Sequence, residues 1–150
     1  MLKINDSAPD FTLQDTTGKE VTLSTLKGKE IILYFYPKDN TPGCTAEACS
    51  IRDNYNSYIK KGIVVIGISP DDEKKHTKFK EKYQLPFTLL ADTDKKVLKL
   101  YGVWGKKKFM GREYEGVIRT TFLIDKEQNI KEIISKVECK THGKDLLKRY

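Results

Sequence analysis

The sequence predicts an α/β fold in which helices flank a mixed central sheet. Two apolar runs, residues 31–36 and 63–68, have the length and composition of buried strands. The stretch between them has helical spacing, and a right-handed crossover of this kind makes the two strands parallel neighbours. Two later runs, 120–124 and 130–136, are predicted to form an antiparallel pair, so that the sheet is mixed. A chain of 150 residues is expected to form a single domain, residues 1–150.

The amino-terminal part of the chain predicts a hairpin, followed by the first long strand and a helix. Residues 11–13 and 20–23 alternate in polarity around a turn at 15–18, which is typical of a hairpin. After the first long strand, residues from about 42 to 60 place apolar side chains at helical spacing. Gly62 is expected to end that helix, because glycine readily adopts the left-handed conformation common after a helix.

Further elements are predicted after the second long strand. The first is a helix that Asp71 or Asp72 caps and that runs through Tyr83, and the second is a short strand at 85–90, where a proline is unfavourable. A helix follows from Lys95 to about Tyr101. A final helix is capped by Thr141 and ends at Tyr150. Residues 102–118 are rich in glycine and lysine and are expected to form a long turn or a hairpin.

Composition and charge argue against several classes of protein. The formal net charge is +7, but the lysines are spread along the chain, and the densest run, Lys106 to Lys108, accompanies no nucleic-acid-binding motif. We therefore expect a solvated basic surface and no nucleic-acid partner. No apolar stretch approaches the ~20 residues that span a bilayer, and the first residues lack a signal-peptide pattern, so we predict a cytoplasmic location and no membrane partner. No phosphate-binding loop, dinucleotide fingerprint or serine-nucleophile pattern occurs.

The most informative residue is Cys44, which follows the sequence Thr41-Pro42-Gly43. Thr41 is a residue type that favours the N-cap position, and proline and glycine after it favour a break between strand and helix. Cys44 is therefore predicted to lie in the first turn of a helix. The unpaired N–H groups and the positive end of the helix dipole stabilise the thiolate there, and the thiolate is the reactive form. With three cysteines in a chain expected to be cytosolic, a cysteine pair is interpreted first as catalytic or metal-binding.

Three other residues complete a predicted site with Cys44. Thr41 lies three residues earlier, so its hydroxyl can reach the sulfur or an oxygen beside it. Pro37 fixes the end of the first long strand and removes a competing N–H. Arg119 opens the strand at 120–124, and a cation at the edge of the core needs an anionic partner such as a thiolate.

A thiolate, a hydroxyl and a guanidinium around one point suit attack on a peroxide. The sulfur would take one oxygen to form a sulfenic acid, while Arg119, Thr41 and backbone N–H groups stabilise the departing oxygen. The sulfenic acid would then condense with a second thiol to form a disulfide, and Cys49 is the nearest second thiol in sequence. Residues five apart in an ideal helix have Cα atoms roughly 8–9 Å apart, beyond the limit of about 7 Å for a disulfide. The first turns of the helix are therefore expected to unwind in each cycle.

Seven segments together carry a resemblance to a known family. They are Ala8-Pro9-Asp10-Phe11, Tyr36-Pro37-Lys38-Asp39, Thr41-Pro42-Gly43-Cys44-Thr45, Glu47-Ala48-Cys49, Leu85-Pro86-Phe87, Tyr101-Gly102-Val103-Trp104-Gly105 and Arg119-Thr120-Thr121-Phe122-Leu123-Ile124-Asp125. Over nearly its full length the chain resembles peroxiredoxins of the bacterioferritin comigratory protein type, also called the peroxiredoxin Q group. The order of elements likewise resembles the thioredoxin fold, with the N-terminal hairpin as an extension.

The resemblance implies an atypical 2-Cys peroxiredoxin that reduces hydrogen peroxide and organic hydroperoxides without a metal or an organic cofactor. It implies an active site of four residues, namely Pro37, Thr41, Cys44 and Arg119. Cys44 would be the peroxidatic cysteine and Cys49 the resolving cysteine of the same chain. The resemblance also implies thioredoxin as the electron donor and a monomer.

Two other functions remain open from the residues themselves. A structural zinc site would take its ligands from Cys44, Cys49, Cys139 and His142. The spacing of the first pair is long for zinc, however, and such a site leaves Thr41 and Arg119 unexplained. A thiol–disulfide oxidoreductase would need a Cys-x-x-Cys pattern, but Glu47 stands where its second cysteine would be.

The remaining polar candidates are predicted to have minor roles. Cys139 has no place in the family pattern and is expected to be a half-buried filler, with glutathionylation or cross-linking of chains as the alternative. His76 lies on the apolar face of a helix and His142 in the first turn of another, and both are predicted to be structural. Glu47 is expected to orient Arg119.

Overall fold

The computed structural model describes residues 1–150 and contains nine strands and five α-helices. The strands are β1 (Thr12–Gln14), β2 (Glu20–Thr22), β3 (Glu30–Phe35), β4 (Ile63–Ser69), β5 (Thr88–Ala91), β6 (Trp104–Phe109), β7 (Arg112–Val117), β8 (Thr120–Ile124) and β9 (Ile130–Ile134). The helices are α1 (Pro42–Asp53), α2 (Tyr55–Lys60), α3 (Glu73–Tyr83), α4 (Lys96–Leu100) and α5 (His142–Leu147), and a short 3₁₀ helix covers Leu23–Leu26.

Seven of the strands form one mixed sheet in the order β2-β1-β5-β4-β3-β8-β9. The two long apolar strands β3 and β4 are parallel neighbours, and β5 continues the parallel part beyond β4. Strand β8 runs antiparallel to β3, and β9 runs antiparallel to β8. The N-terminal hairpin β1–β2 joins the sheet through an antiparallel bridge between β1 and β5. The predicted mixed sheet with flanking helices and an N-terminal hairpin is therefore confirmed.

The two faces of the sheet bury separate apolar layers because side chains alternate along each strand. From β3, Ile31, Leu33 and Phe35 pack on the face that α4 and the 3₁₀ helix cover. The intervening side chains point to the opposite face, where they meet residues of the other four helices. Each such buried side chain contributes about 1.5–3 kcal/mol relative to exposure, so both layers hold β3 firmly at the centre.

Two elements in the middle of the chain differ from prediction. The helix expected over 42–60 is divided at Asn54, whose backbone leaves the helical region (φ −110°, ψ 8°) and whose side-chain amide donates to the Ser50 carbonyl at 2.8 Å. An asparagine side chain that bonds the backbone in this way competes with helical hydrogen bonds. The short strand expected at 85–90 begins only at Thr88, because Pro86 has no N–H to donate to a sheet ladder.

The last part of the chain also has shorter elements than predicted. The final helix ends at Leu147 and β9 at Ile134, each short of the predicted end. Residues 102–118 contain the hairpin β6–β7, which pairs with itself and lies outside the main sheet. None of the helices has the length and apolar character that crossing a bilayer requires.

Candidate active site

Cys44 lies in the first turn of α1, as predicted, and its side chain is buried. Thr41 is the N-cap residue by its backbone angles, and its carbonyl accepts the first helical hydrogen bond from the Thr45 N–H at 2.8 Å. The N–H groups of Gly43 and Cys44 have no acceptor within the protein. These donors and the helix dipole place partial positive charge around the sulfur.

The pairing of β8 with β3 brings Arg119 to Cys44. Thr120, the first residue of β8, lies opposite Phe35 at the carboxyl end of β3, and the chain enters α1 a few residues beyond that end. The Arg119 side chain consequently meets the first turns of α1, where its Nη2 lies 3.3 Å from the Cys44 sulfur. Its Nη1 donates to Glu47 Oε1 at 2.6 Å. One guanidinium therefore binds a thiol and a carboxylate that lie three residues apart on the same helix face.

Glu47 is the anchor of this arrangement. Its side chain is fully buried, and burial raises the pKa of its carboxyl to about 7, while the hydrogen-bonded Arg119 opposes that rise. For Arg119 itself, burial works to lower the pKa, but Glu47 and Cys44 outweigh it and raise the pKa above its ordinary value. Arg119 therefore stays positively charged, and Glu47 holds its guanidinium beside the sulfur. The prediction that Glu47 orients Arg119 is confirmed.

Helix α5 supports Glu47 from behind. The His142 Nε2 lies 2.8 Å from the Thr121 hydroxyl and 3.6 Å from Glu47 Oε2. Burial lowers the pKa of His142 to about 4, so its ring is neutral at pH 7. The next residue, Gly143, approaches α1 so closely that a Cβ there would stand 2.2 Å from the Ser50 carbonyl oxygen. The glycine thus permits the close contact that places His142 beside Glu47.

The loop before α1 carries the other two predicted residues, Pro37 and Thr41. The Thr41 hydroxyl donates to the Lys38 carbonyl at 2.8 Å, so its single proton is engaged within the loop. Its lone pairs stay available to accept a hydrogen bond from the O–H of a bound hydroperoxide. The expectation that this hydroxyl donates to the sulfur or to a departing oxygen is therefore wrong for this conformation, because a hydroxyl has only one proton to give.

A buried network fastens this loop to α3. Asp39 receives hydrogen bonds from the Tyr36 hydroxyl on Oδ1 and from His76 Nδ1 on Oδ2, both at 2.6 Å, and its own N–H donates to Asp71 at 2.7 Å. The other ring nitrogen of His76 lies 3.0 Å from the Leu90 carbonyl. The His76 ring therefore lies between a carboxylate oxygen and a carbonyl oxygen. Asp72, and not Asp71, caps α3, because Asp71 is committed to this network.

The three cysteines are all free thiols. Cys49 lies half-buried on α1, so an intact helix separates it from Cys44. Cys139 lies in the turn before α5, also half-buried, with its sulfur 3.8 Å from the place where a Cβ of Gly43 would be. The structure places no group of three or more His, Cys, Asp or Glu side chains so that they could hold a metal ion, because His142 and Cys44 face different partners. The ligands of the zinc alternative are thus not gathered.

Sequence reasoning missed Lys107 as a neighbour of the site. Unlike Lys106 and Lys108, it is half-buried, and its ammonium donates to the Val117 carbonyl at 2.8 Å. Burial and Arg119 lower the pKa of Lys107, while Cys44 opposes that shift. The alternation of side chains in a hairpin was the available signal, since it sends the middle lysine of three to the opposite face. The Asp39–His76 network gave no such signal, because its partners are far apart in sequence.

The comparison with known families decides the classification. Residues 4–133 match the model of the AhpC/TSA family. The chain belongs to that family. It is 49% identical to the peroxiredoxin Bcp of Bacillus subtilis, over 97% of this chain and 93% of that protein. It is 45% identical to the peroxiredoxin Bcp of Escherichia coli, over 94% of this chain and 90% of that protein.

Solved structures of such proteins share the fold of this chain. The structure of peroxidoxin BcpB from Mycobacterium tuberculosis superposes with a TM-score of 0.86 at 35% identity, covering 99% of this chain and 96% of that one. A cysteine mutant of PrxQ from Xylella fastidiosa superposes with a TM-score of 0.93 at 29% identity, covering 99% and 95%. The resemblance to Bcp and PrxQ peroxiredoxins and the thioredoxin-like fold are thus confirmed, and membership of this family supports a thiol peroxidase activity.

Proposed function

We propose that the protein reduces hydrogen peroxide and organic hydroperoxides, with Cys44 as the peroxidatic and Cys49 as the resolving cysteine. One observation carries this proposal: Arg119 joins the Cys44 sulfur at 3.3 Å to the buried Glu47 carboxylate at 2.6 Å. A cation fixed in this way stabilises the thiolate before the reaction and the departing oxygen during it. Pro37 and Thr41 complete the proposed active site from the preceding loop.

The first step transfers one oxygen atom to sulfur. The Cys44 thiolate attacks the nearer oxygen of ROOH, an S–O bond forms, and the O–O bond breaks. The sulfur is oxidised to a sulfenic acid, and the peroxide is reduced to RO⁻, which takes up a proton to leave as ROH. The open N–H groups of Gly43 and Cys44, together with Arg119, donate to the oxygen that develops charge. The Thr41 hydroxyl accepts from the peroxide O–H and so orients the attacked oxygen.

The second step forms a disulfide between the two cysteines, and its reduction then returns the enzyme to its starting state. The Cys49 thiol attacks the sulfenic sulfur, a disulfide forms, and water leaves with the thiol proton. Because α1 is a continuous helix from Pro42 to Asp53, its first turns must unwind for the two sulfurs to meet. A dithiol donor then reduces the disulfide, and we propose thioredoxin on the strength of the family resemblance. A cytoplasmic monomer is part of the same proposal.

The test is steady-state peroxidase activity with thioredoxin, thioredoxin reductase and NADPH, using hydrogen peroxide or cumene hydroperoxide as substrate. We expect Cys44→Ser to abolish turnover and Arg119→Met to lower it by roughly 10²–10³-fold, the loss typical of removing one preorganised donor. Arg112→Met is the matched control, since Arg112 is exposed on β7, and it should keep full activity.

Two results would count against the proposal. Turnover that persists in Cys44→Ser would remove the peroxidatic role of that residue. Turnover that needs glutaredoxin and glutathione in place of thioredoxin would leave the peroxidase in place but contradict the proposed donor.

A further inference from the structure

We infer that Cys139 is a second resolving thiol, able to form a disulfide with Cys44 when Cys49 does not. This inference rests on the proposed peroxidase function and adds a residue to it. It starts from a placement that the sequence did not predict. The turn before α5 brings the Cys139 sulfur to the amino end of α1, 95 residues away in the chain from Cys44, where the oxidised sulfur would form.

Gly43 is the point at which Cys139 meets the candidate site. A Cβ built on Gly43 would lie 3.8 Å from the Cys139 sulfur and 3.2 Å from Arg119 Nη2. That same Nη2 is 3.3 Å from the Cys44 sulfur. Cys139 therefore lies next to Gly43 on the side where Arg119 approaches. Because glycine has no side chain, the space between the Cys139 sulfur and Arg119 stays open. Any other residue at position 43 would put atoms between Cys139 and Arg119.

Chain connectivity makes Cys139 a suitable partner. Cys49 lies in the same helix as Cys44 and cannot reach it until the turns of α1 that separate them open. Cys139 lies outside regular structure, between the end of β9 at Ile134 and the start of α5 at His142. A disulfide to Cys139 therefore does not require α1 to unwind as far as Cys49. Segments outside regular structure open at lower free-energy cost than helices packed in the core.

Oxidation of Cys44 itself favours this movement. In the reduced state Arg119 binds the sulfur as a charge-assisted partner. A sulfenic acid is neutral, so the attraction that holds the sulfur against Arg119 weakens once the oxygen has been transferred. Burial raises the pKa of the Cys139 thiol, with Arg119 opposing the rise, so at neutral pH Cys139 stays protonated and is a poor target for peroxide.

The step balances without an additional oxidant. The Cys139 sulfur attacks the sulfenic sulfur of Cys44, the S–S bond forms, and the S–O bond breaks. The thiol proton leaves with the hydroxyl as water, so two thiols and one peroxide give a disulfide, an alcohol and water.

The experiment is peptide mapping under non-reducing conditions after one equivalent of hydrogen peroxide. In Cys49→Ser we expect a monomer that has lost two hydrogens, with the link mapped to Cys44 and Cys139. In the double variant Cys49→Ser/Cys139→Ser we expect Cys44 sulfenic acid that dimedone traps, at about tenfold or more above the single variant, because no resolving thiol is left.

The outcomes separate this inference from the proposed function. Sulfenic or sulfinic acid at Cys44 of Cys49→Ser with Cys139 still a free thiol would overturn the inference and leave the peroxidase intact. A disulfide between Cys139 residues of two chains would also overturn it. Failure of Cys44 to react in the wild type would remove the proposed function and this inference together.

Discussion

Two buried histidines support the candidate site from opposite sides, and their surroundings make them electrostatically different. His76 lies under the loop before α1, where its ring nitrogens face only acceptors, the Asp39 carboxylate at 2.6 Å and the Leu90 carbonyl at 3.0 Å. His142 lies behind Glu47, with a hydroxyl on Nε2; burial lowers its pKa, Asp145 opposes that shift and Arg119 adds to it. The loop is thus held by hydrogen bonds to a buried carboxylate, whereas α5 is held by a hydroxyl contact and close packing.

The comparison teaches that two equally buried histidines can hold their neighbours by different contacts. Both rings are almost fully inaccessible to solvent. A carboxylate oxygen of Asp39 lies 2.6 Å from the His76 ring, whereas Glu47 Oε2 lies 3.6 Å from the His142 ring. Replacing each histidine in turn therefore measures how much each of the two supports stabilises the site.

The largest expected effect comes from replacing each histidine with leucine. His76→Leu takes a hydrogen-bond partner from the buried Asp39 carboxylate and another from the Leu90 carbonyl, and we expect a loss of about 2–4 kcal/mol in the free energy of unfolding. His142→Leu removes a neutral ring of similar size and leaves one hydroxyl, on Thr121, without a partner, so we expect a loss of about 1–2 kcal/mol. Urea unfolding at pH 7 measures both. Equal losses in the two variants would contradict the view that the carboxylate contact of His76 is the stronger of the two supports.

The next prediction is a dependence of stability on pH, which His142 causes and which is small at neutral pH. The ordinary pKa of a histidine is 6.5, and burial lowers the pKa of His142 in the folded protein to about 4. Between these values the unfolded chain binds a proton that the folded chain does not, so wild-type stability falls as the pH drops from 6.5 to 4. The full loss is on the order of 3 kcal/mol.

The measurement is the difference in unfolding free energy between wild type and His142→Leu at several pH values. That difference reduces the contribution of Glu47, whose raised pKa has the opposite sign: it stabilises the folded state as the pH falls from about 7 to 4.5. We expect the wild type to lose stability relative to the variant only below pH 6.5. A difference that is independent of pH would mean that folding leaves the pKa of His142 at its ordinary value, which would contradict the account.

Sequence reasoning predicted the parts of the fold that depend on local pattern. The apolar runs of β3 and β4 predicted a pair of buried strands. The proline and glycine before Cys44 predicted a thiol in the first turn of a helix. Both patterns depend on residues that are close together in the chain. Long-range contacts were not accessible in the same way. The pairing of Asp39 with His76 and the approach of Cys139 to Gly43 arise only when distant segments pack.

The same limit explains the wrong boundaries. The apolar spacing continues from α1 into α2, so pattern alone predicted one helix. Asn54 interrupts it by a side-chain hydrogen bond to Ser50 that periodicity does not register. Likewise, Leu85 and Phe87 are buried as a strand would require, but the neighbouring Pro86 keeps them out of the sheet ladder.

The most direct test of the central proposal is the mass and peptide map of the wild-type protein after one equivalent of hydrogen peroxide. The account predicts a monomer that has lost two hydrogens, with the link between Cys44 and Cys49. A Cys44 that remains a thiol while other side chains take up oxygen would contradict it, because the Arg119 contact would then have no role in peroxide chemistry.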